Sequence, residues 1–187
     1  VQEIQNMQLQ YNQADEQHKE GLRSIILHRV ADYDISKLPP DTQQFINNLK
    51  DGHGIYYFRS GVIYEGQFAN DKMKGLGICY LANENRYEGQ FSNDKFNGQG
   101  IYYYEVGDRY EGDFKNGLRN GQGTYYYANG SKYTGSFVDG NIGKQGILYY
   151  TNGERYEGQF TYGNFDGQGI FYYKDGSRYE GQFSDDM

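Results

Sequence analysis

The strongest constraint on this chain is a period. The phrase Tyr-Glu-Gly-Gln-Phe begins at Tyr64, and close copies begin at Tyr87, Tyr110, Tyr133, Tyr156 and Tyr179, always 23 residues apart. The fifth residue is Phe each time: Phe68, Phe91, Phe114, Phe137, Phe160 and Phe183. The third is Gly: Gly66, Gly89, Gly112, Gly135, Gly158 and Gly181. A second landmark, Gly-x-Gly, falls at Gly52/Gly54, Gly75/Gly77, Gly98/Gly100, Gly121/Gly123 and Gly167/Gly169. One unit departs, with Lys144 in place of the first Gly and Gly143 one position earlier. Three residues after the second Gly stands a tyrosine: Tyr57, Tyr80, Tyr103, Tyr126, Tyr149 and Tyr172. A fixed period of this length requires that each unit pack chiefly on its neighbours, as a quasi-one-dimensional solenoid.

Each unit reads as a hairpin. In Arg86-Tyr87-Glu88-Gly89-Gln90-Phe91, alternate side chains point to opposite faces of a strand, so Tyr, Gly and Phe share one face and Arg, Glu and Gln the other. The Gly weakens the strand by itself. It leaves a slot in which a neighbouring ring can lie. Arg and Glu two apart on adjacent strands predict a ladder of opposed charges on the wet face. Ser92 to Asn97 is rich in turn formers, and the second strand is expected from Gly100 to Tyr104. Asn129-Gly130, Asn152-Gly153 and Asp175-Gly176 are expected as two-residue turns with positive φ at both positions. Asn83-Glu84 departs from that pattern and predicts a looser turn. The result is an all-β repeat solenoid, an antiparallel meander of hairpins whose natural twist accumulates.

The core must be aromatic. Of 187 residues, 22 are Tyr and 11 Phe, with no Trp, and aliphatic residues are scarce. A buried ring removes roughly 150–250 Å² from water, so such a core is feasible in a thin structure where hydroxyls reach partners. Packing is the expected use of Tyr64, Tyr87, Tyr110, Tyr133 and Tyr156. The column at Tyr57, Tyr80, Tyr103, Tyr126, Tyr149 and Tyr172 is divided between core and an aromatic groove for a partner.

The first fifty residues differ in kind. Ile4, Met7, Tyr11 and Ala14 fall at helical spacing, and Leu22, Ile25, Ile26 and Val30 mark a second stretch broken near Gly21. Residues 1–37 are therefore a helical extension. After Leu38-Pro39-Pro40, Asp41 is expected as an N-cap with Gln44 three later as a capping box. This short helix, 38–50, carries Phe45, Ile46 and Leu49 and caps the open edge of a sheet spanning 51–187. The sheet opens with a half unit, continues with units from 64, 87, 110, 133 and 156, and ends on a partial one at 179. The chain starts at Val1 and stops just after beginning a unit, which reads as a piece of something longer. The edge near Phe183 is open to more repeats, a second copy or another protein, with Asp185 and Asp186 discouraging casual pairing.

The net charge of −7 argues against nucleic acid and against bulk attraction to anionic lipid. A single cysteine, Cys79, excludes an intrachain disulfide and fits a reducing, cytoplasmic compartment. It takes the place of Tyr102, Tyr125, Leu148 and Phe171 in other units and is read as a small packing residue. His18, His28 and His53 lack metal-ligand spacing, so no metal or cofactor is expected. Gly-x-Gly precedes a strand and not a helix, so it is no phosphate loop. Glu88, Glu111, Glu157 and Glu180 repeat on a solvated face, whereas acid–base catalysis needs one asymmetric, desolvated site. The sequon Asn129-Gly130-Ser131 lies in a tight turn and is read as structural.

Tyr-x-Gly-x-aromatic, a polar loop, Gly-x-Gly and an aromatic strand ending in Asn/Asp-Gly together resemble the MORN repeat family, from about Gly52 to Phe183. The family often has Trp at the fifth position; here it is always Phe. The resemblance implies hairpins stacked into a twisted, grooved sheet and a non-catalytic role as a scaffold for other proteins. Within the family the chain is most similar to ciliary radial spoke head proteins, which implies a cytoskeleton-associated place in the axoneme. The partners implied are proteins of a large assembly, offering a helix or an extended peptide to the aromatic groove. The alternatives are a membrane or phosphoinositide module, which the acidic charge opposes, and a regulatory domain of a larger enzyme.

Overall fold

The computed structural model describes residues 2–30, 34–49, 52–69 and 72–184. Asp185, Asp186 and the expected boundary at residues 50 and 51 lie outside them. The described residues form two compact units, divided between Asp94 and Lys95.

The first unit opens with helices α1 (Gln2–Gln13), α2 (Glu16–Val30) and α3 (Pro40–Leu49), with a 3₁₀ turn at Ile35–Lys37. The break between α1 and α2 falls at Asp15, whose carboxylate accepts a hydrogen bond from the His18 amide (2.9 Å) and so caps α2. Helix α2 runs uninterrupted through Gly21, where the sequence predicts a break. The expected N-cap at Asp41 is also displaced. Helix α3 begins at Pro40, because proline supplies the first helical φ and has no amide to leave orphaned. Ile4, Ile26, Leu27, Val30, Leu38 and Ile46 form a small aliphatic core, with Met7, Tyr11, Ile35, Phe45 and Tyr56 packed against it. Ile25, by contrast, is 54% exposed.

Strands β1 (Gly52–Tyr57), β2 (Ile63–Ala69), β3 (Lys72–Tyr80) and β4 (Arg86–Ser92) follow, each antiparallel to the next. The element laid on β1 is α2, while α3 packs on α1 and α2. The second unit holds β5 (Lys95–Tyr103), β6 (Arg109–Lys115), β7 (Leu118–Tyr126), β8 (Lys132–Val138), β9 (Asn141–Tyr149), β10 (Arg155–Thr161), β11 (Asn164–Tyr172) and β12 (Arg178–Phe183). These also pair antiparallel in chain order, as the repeat predicts.

The two kinds of turn are exchanged relative to the sequence reading. Positive φ at both central residues occurs in the polar loops: Asn116 (54°) and Gly117 (89°), Asp139 (47°) and Gly140 (88°), Tyr162 (51°) and Gly163 (92°). These are the primed two-residue turns that match strand twist. The strand after each loop therefore starts early, β5 at Lys95 and not at Gly100. At Asn129-Gly130 only Gly130 has positive φ (88°). There the Tyr127 amide donates to the Ser131 carbonyl and the Gly130 amide to the Tyr127 carbonyl, both at 2.9 Å. That is a type I turn closed by one left-handed residue. The Asn129 side chain accepts from the Ser131 amide (2.9 Å), which explains Asn at that place.

Asn83-Glu84 does not loosen. The Leu81 amide donates to the Asn85 carbonyl (2.9 Å) and the Glu84 amide to the Leu81 carbonyl (3.1 Å), the same closure as in the other units. Glu84 takes the glycine position at φ 62°. Left-handed backbone costs a residue with a Cβ about 1–2 kcal/mol. Part of that relief is lost because Gly loosens the unfolded chain by about 0.4–1 kcal/mol. Glu84→Gly is expected to stabilise the protein by up to about 1 kcal/mol, read as a rise in the midpoint of chemical denaturation.

Candidate protein-interaction face

The site begins with glycine opposite glycine. In the first unit Gly54 pairs with Gly66, Gly66 with Gly77 and Gly77 with Gly89. In the second unit the stripe runs Gly100, Gly112, Gly123, Gly135, Gly146, Gly158, Gly169 and Gly181, each opposite the next. A Cβ on Gly112 would lie 2.6 Å from the Tyr110 hydroxyl, and one on Gly123 2.4 Å from it. The Tyr110 ring therefore lies flat across the glycine two residues on and the glycine of the next strand. Tyr64 lies the same way over Gly66 and Gly77, Tyr133 over Gly135 and Gly146, and Tyr156 over Gly158 and Gly169. The slot is filled by the strand's own tyrosine.

The hydroxyl finds its partner on its own strand. Tyr64 donates to the Gln67 carbonyl (2.9 Å), Tyr87 to Gln90 (2.8 Å), Tyr110 to Asp113 (3.0 Å) and Tyr156 to Gln159 (2.8 Å). All five rings from Tyr64 to Tyr156 are 0% exposed. Each meets a phenylalanine edge-on: Tyr110 touches Phe114 at 5.2 Å and Phe137 at 4.8 Å between centroids. The rings are covered by a row that the sequence reading overlooked. In it Phe165 stacks on Tyr156 at 3.8 Å, and the Arg119 guanidinium sits 5.7 Å from the Tyr110 ring.

The first Gly of the Gly-x-Gly at Gly75, Gly121 and Gly167 occupies a bulge, where the register shifts between the third and fifth positions of the Tyr-Glu-Gly-Gln-Phe phrase. Gly75, Gly121 and Gly167 have φ of 69°, 117° and 97° there. The fourth residue of the phrase fills the bulge from across the strand. Gln159 accepts from the Gln168 amide and Asp113 from the Gln122 amide, both at 2.9 Å. The departing unit is adapted as a set. Lys144 has no positive φ, the filler is the shorter Ser136, and a Cβ on Gly143 would lie 2.3 Å from the Ser136 hydroxyl.

The column Tyr57, Tyr80, Tyr103, Tyr126, Tyr149 and Tyr172 lies on the opposite face, since Cys79, beside Tyr80, is the residue paired with Tyr64 and Tyr87. In the second unit its rings alternate with cations, whereas Ile63 stands opposite both Tyr57 and Tyr80. Arg109 sits opposite both Tyr103 and Tyr126, and Arg155 opposite both Tyr149 and Tyr172. The Arg109 guanidinium lies 4.3 Å from the Tyr126 ring, the Lys132 ammonium 4.8 Å from Tyr149, and the Arg155 guanidinium 3.7 Å from Tyr172. Such contacts contribute about 0.5–1 kcal/mol each at exposed sites. The expected ladder of Arg against Glu on adjacent strands is replaced by ion pairs within strands. Arg86 reaches Glu88 at 2.9 Å and Arg109 reaches Glu111 at 3.0 Å. Across the strands Glu111 faces Ile101 and Thr124 instead.

A further set of rings, of which the sequence reading named Tyr102, Tyr125 and Phe171 as equivalents of Cys79, stands beside the buried tyrosines. Tyr102 and Tyr104 pair at 4.5 Å, Tyr125 and Tyr127 at 4.8 Å, and Phe171 and Tyr173 at 4.8 Å. Tyr104 also meets Tyr125 at 5.7 Å. Most are half-buried, and Tyr173 is 44% exposed. Arg119 lies 5.0 Å from the Tyr125 ring, and the Tyr125 hydroxyl donates to Asp108 at 2.5 Å. Burial, reinforced by that carboxylate, pushes the Tyr125 phenol up; burial raises Tyr104 and Tyr127 as well, with Arg119 opposing. The sequence signal was the first and third tyrosines of the Tyr-Tyr-Tyr runs, two residues apart on the same strand face. Cys79, 3% exposed, takes this place in the first unit, and burial pushes its thiol up to about 11, which favours the protonated form.

A meander of near-identical hairpins with a buried tyrosine spine defines a repeat scaffold. The chain belongs to the MORN repeat family, whose model matches residues 44–63, 64–86, 87–109, 110–132, 133–155, 156–178 and 179–187. The first match begins inside α3. No curated protein matches the sequence significantly. Among solved structures it is similar to the SAS-4 TCP domain of Drosophila melanogaster, solved with a proline-rich motif of Ana2. The identity is 14% over 68% of this chain and 77% of that one, with a TM-score of 0.40. Virginiamycin B lyase from Staphylococcus aureus matches at 14% identity over 72% of this chain and 42% of that one, with a TM-score of 0.17.

Two outcomes follow from the spine. Gly123→Ala places a methyl within 2.6 Å of three Tyr110 atoms and must expel the ring. Overpacking of this kind is expected to cost about 3 kcal/mol or more in chemical denaturation. The second concerns alkali. Burial pushes the Tyr110 and Tyr133 phenols up to about 12 and raises Tyr64 and Tyr87 further. In the unfolded chain they ionise near 10. The folded state thus holds protons that the unfolded state releases, so stability is intact below about pH 10 and falls as pH rises towards about 12. The last phase of the tyrosinate absorbance, that of the buried spine, is expected to rise together with loss of the β-sheet circular dichroism signal, not ahead of it.

Proposed function

We propose that the chain is a non-catalytic scaffold that holds other proteins of a cytoskeletal assembly, at the ciliary axoneme in the manner of a radial spoke head. The observation that carries the reading is the strip of paired, half-exposed rings at Tyr102/Tyr104, Tyr125/Tyr127 and Phe171/Tyr173. The buried spine already supplies the fold's aromatic packing. Tyrosines presenting an apolar body and a polar tip are what protein interfaces use as anchors. A partner helix or extended peptide laid along the strip would meet these three ring pairs, with Leu148 and Tyr150 between the second and the third. The column from Tyr57 to Tyr172 is the second candidate surface, with its rings packed on cations. The membrane reading loses support from the basic column, because Arg86 and Arg109 are each paired with a glutamate on the same strand.

The test is affinity purification of the full-length tagged protein from ciliated cells, with mass spectrometry of what remains bound at moderate salt. Axonemal proteins are expected, with recovery falling at least tenfold for Tyr104→Ala/Tyr127→Ala and little changed for Tyr80→Ala/Tyr149→Ala. The reverse pattern would move the site to the cation-packed face. Recovery with lipid vesicles, or with an enzyme in place of axonemal proteins, would overturn the scaffold reading.

A further inference from the structure

Along the polar-loop edge of the second unit, the repeat is broken in one consistent direction. Leu118 stands where other units have Lys95, Asn141 and Asn164. Val138 stands where they have Ser92, Lys115 and Thr161, and Tyr162 where they have Asn93, Asn116 and Asp139. The three apolar replacements fall at three successive turns and are 49%, 57% and 100% exposed. Leu118 reaches the second of those turns, with Cδ2 4.0 Å from the Cβ position of Gly140. Tyr162 also has a left-handed backbone (φ 51°), which suits Asn and Asp better than an aromatic residue. A fully exposed ring buries no apolar area within its own chain. Clustered apolar surface of this kind marks a contact site.

Beside this rim the sheet opens. A left-handed glycine at the start of Gly-x-Gly pairs with the phenylalanine of the next strand, as Gly98 with Phe114, Gly121 with Phe137 and Gly167 with Phe183. A residue with a Cβ enters that backbone only under strain. Lys144 avoids it, and the ladder between β9 and β10 stops one rung short, at Gln145 opposite Gln159. Ile142 is also smaller than its equivalents Phe96 and Phe165. Between the strand ends lies a cavity of about 660 Å³, lined among others by Val138, Ile142, Lys144, Phe160 and Tyr162. Binding pockets span roughly 300–1,000 Å³. Among the described residues its charged lining is Arg119 and Lys144, with no carboxylate, in a chain of net charge −7. Arg119 is held in place: its guanidinium donates to the Gly140 carbonyl and lies 5.0 Å from the Tyr125 ring and 5.4 Å from the Phe137 ring. The neighbouring Asp139 carboxylate is engaged by the Asn120 side chain at 3.0 Å. Lys144 is exposed.

We propose that this cavity and its apolar rim dock an acidic segment of another protein, with one large apolar side chain entering between β9 and β10 and an adjacent carboxylate meeting Lys144. The charge selects the acid, since a carboxylate meets two cations here and repulsion from most of the chain elsewhere. The attraction to an exposed lysine falls as salt rises. The cavity and the rim at Val138 and Tyr162 select the anchor, because a buried large side chain supplies most of the energy of such contacts. The site uses none of the ring pairs of the aromatic strip, so it stands whether or not that strip holds an axonemal protein.

The experiment selects random peptides displayed on phage against the 187-residue chain, with depletion on Ile142→Phe, whose ring fills the cavity. The recovered peptides are expected to carry Phe, Tyr, Leu or Ile beside Asp or Glu. For the tightest of them, fluorescence anisotropy is expected to show binding that weakens with salt. Lys144→Gln is expected to weaken it at least fivefold and to flatten the salt dependence. Tyr162→Asn, which restores the turn residue of other units, is expected to weaken it at least threefold while the midpoint of chemical denaturation rises. Both positions are exposed, so these readouts hold whether or not Ile142→Phe folds. No enriched peptide, enriched peptides without acidic residues, or equal binding by Lys144→Gln overturns the proposal. Phosphatidylserine vesicles that sediment the wild type and not Lys144→Gln would give the site to lipid, which overturns it as well.

Discussion

The structure depends on one contact, a tyrosine ring lying flat on its own strand. A ring can lie there only if the residue two places on and its cross-strand neighbour both lack a Cβ. It can be buried there only if its hydroxyl has an acceptor, which the carbonyl one residue past the glycine provides. Burying a hydroxyl without a partner would cost roughly 1–3 kcal/mol. The Tyr-x-Gly spacing therefore meets the steric and the polar requirement together. It does so within one strand and the next, so the fold extends by repetition without any residue distant in sequence.

From that contact the division of labour between faces follows. The spine face satisfies the burial requirement with rings, and the other face with alternating tyrosines and cations. Because the spine takes one tyrosine per unit, the neighbouring rings at Tyr102, Tyr104, Tyr125 and Tyr127 are only half used by the fold. They are the part of the molecule with apolar surface to offer. The helices pack at β1, where the Arg23 side chain of α2 lies over Gly54.

The architecture was legible in the sequence because a strict period and a two-residue alternation leave little else. The spine residues and their burial followed from the same signals. What was not legible depended on backbone sign and on direction. The reading gave the primed turns to Asn129-Gly130 because dipeptide chemistry favours them there. The structure spends them on Asn116-Gly117 and Asp139-Gly140, where strand twist demands them on a short connection. The helix break moved to Asp15 because a capping carboxylate outweighs one interior glycine. The column at Tyr80 and its equivalents stayed divided between core and groove because sequence spacing does not reveal what stands opposite each ring: Ile63 at Tyr57, Arg86 at Tyr80, Arg109 at Tyr103 and Tyr126, and Arg155 at Tyr149 and Tyr172. The ring pairs were passed over because their first members, as equivalents of Cys79, were read as packing residues.

The unit containing Ser136 and Lys144 shows what kind of object this repeat is. Its bulge has ordinary backbone where the others have left-handed glycine, and its filler is shorter by the matching amount. Neither change fits a neighbouring unit alone: a lysine brought to position 121 would meet the Asp113 side chain in a backbone conformation that penalises it. The heritable piece is thus a whole hairpin, with its two strands chosen for each other. A change at one of these positions therefore calls for a matching change on the strand opposite.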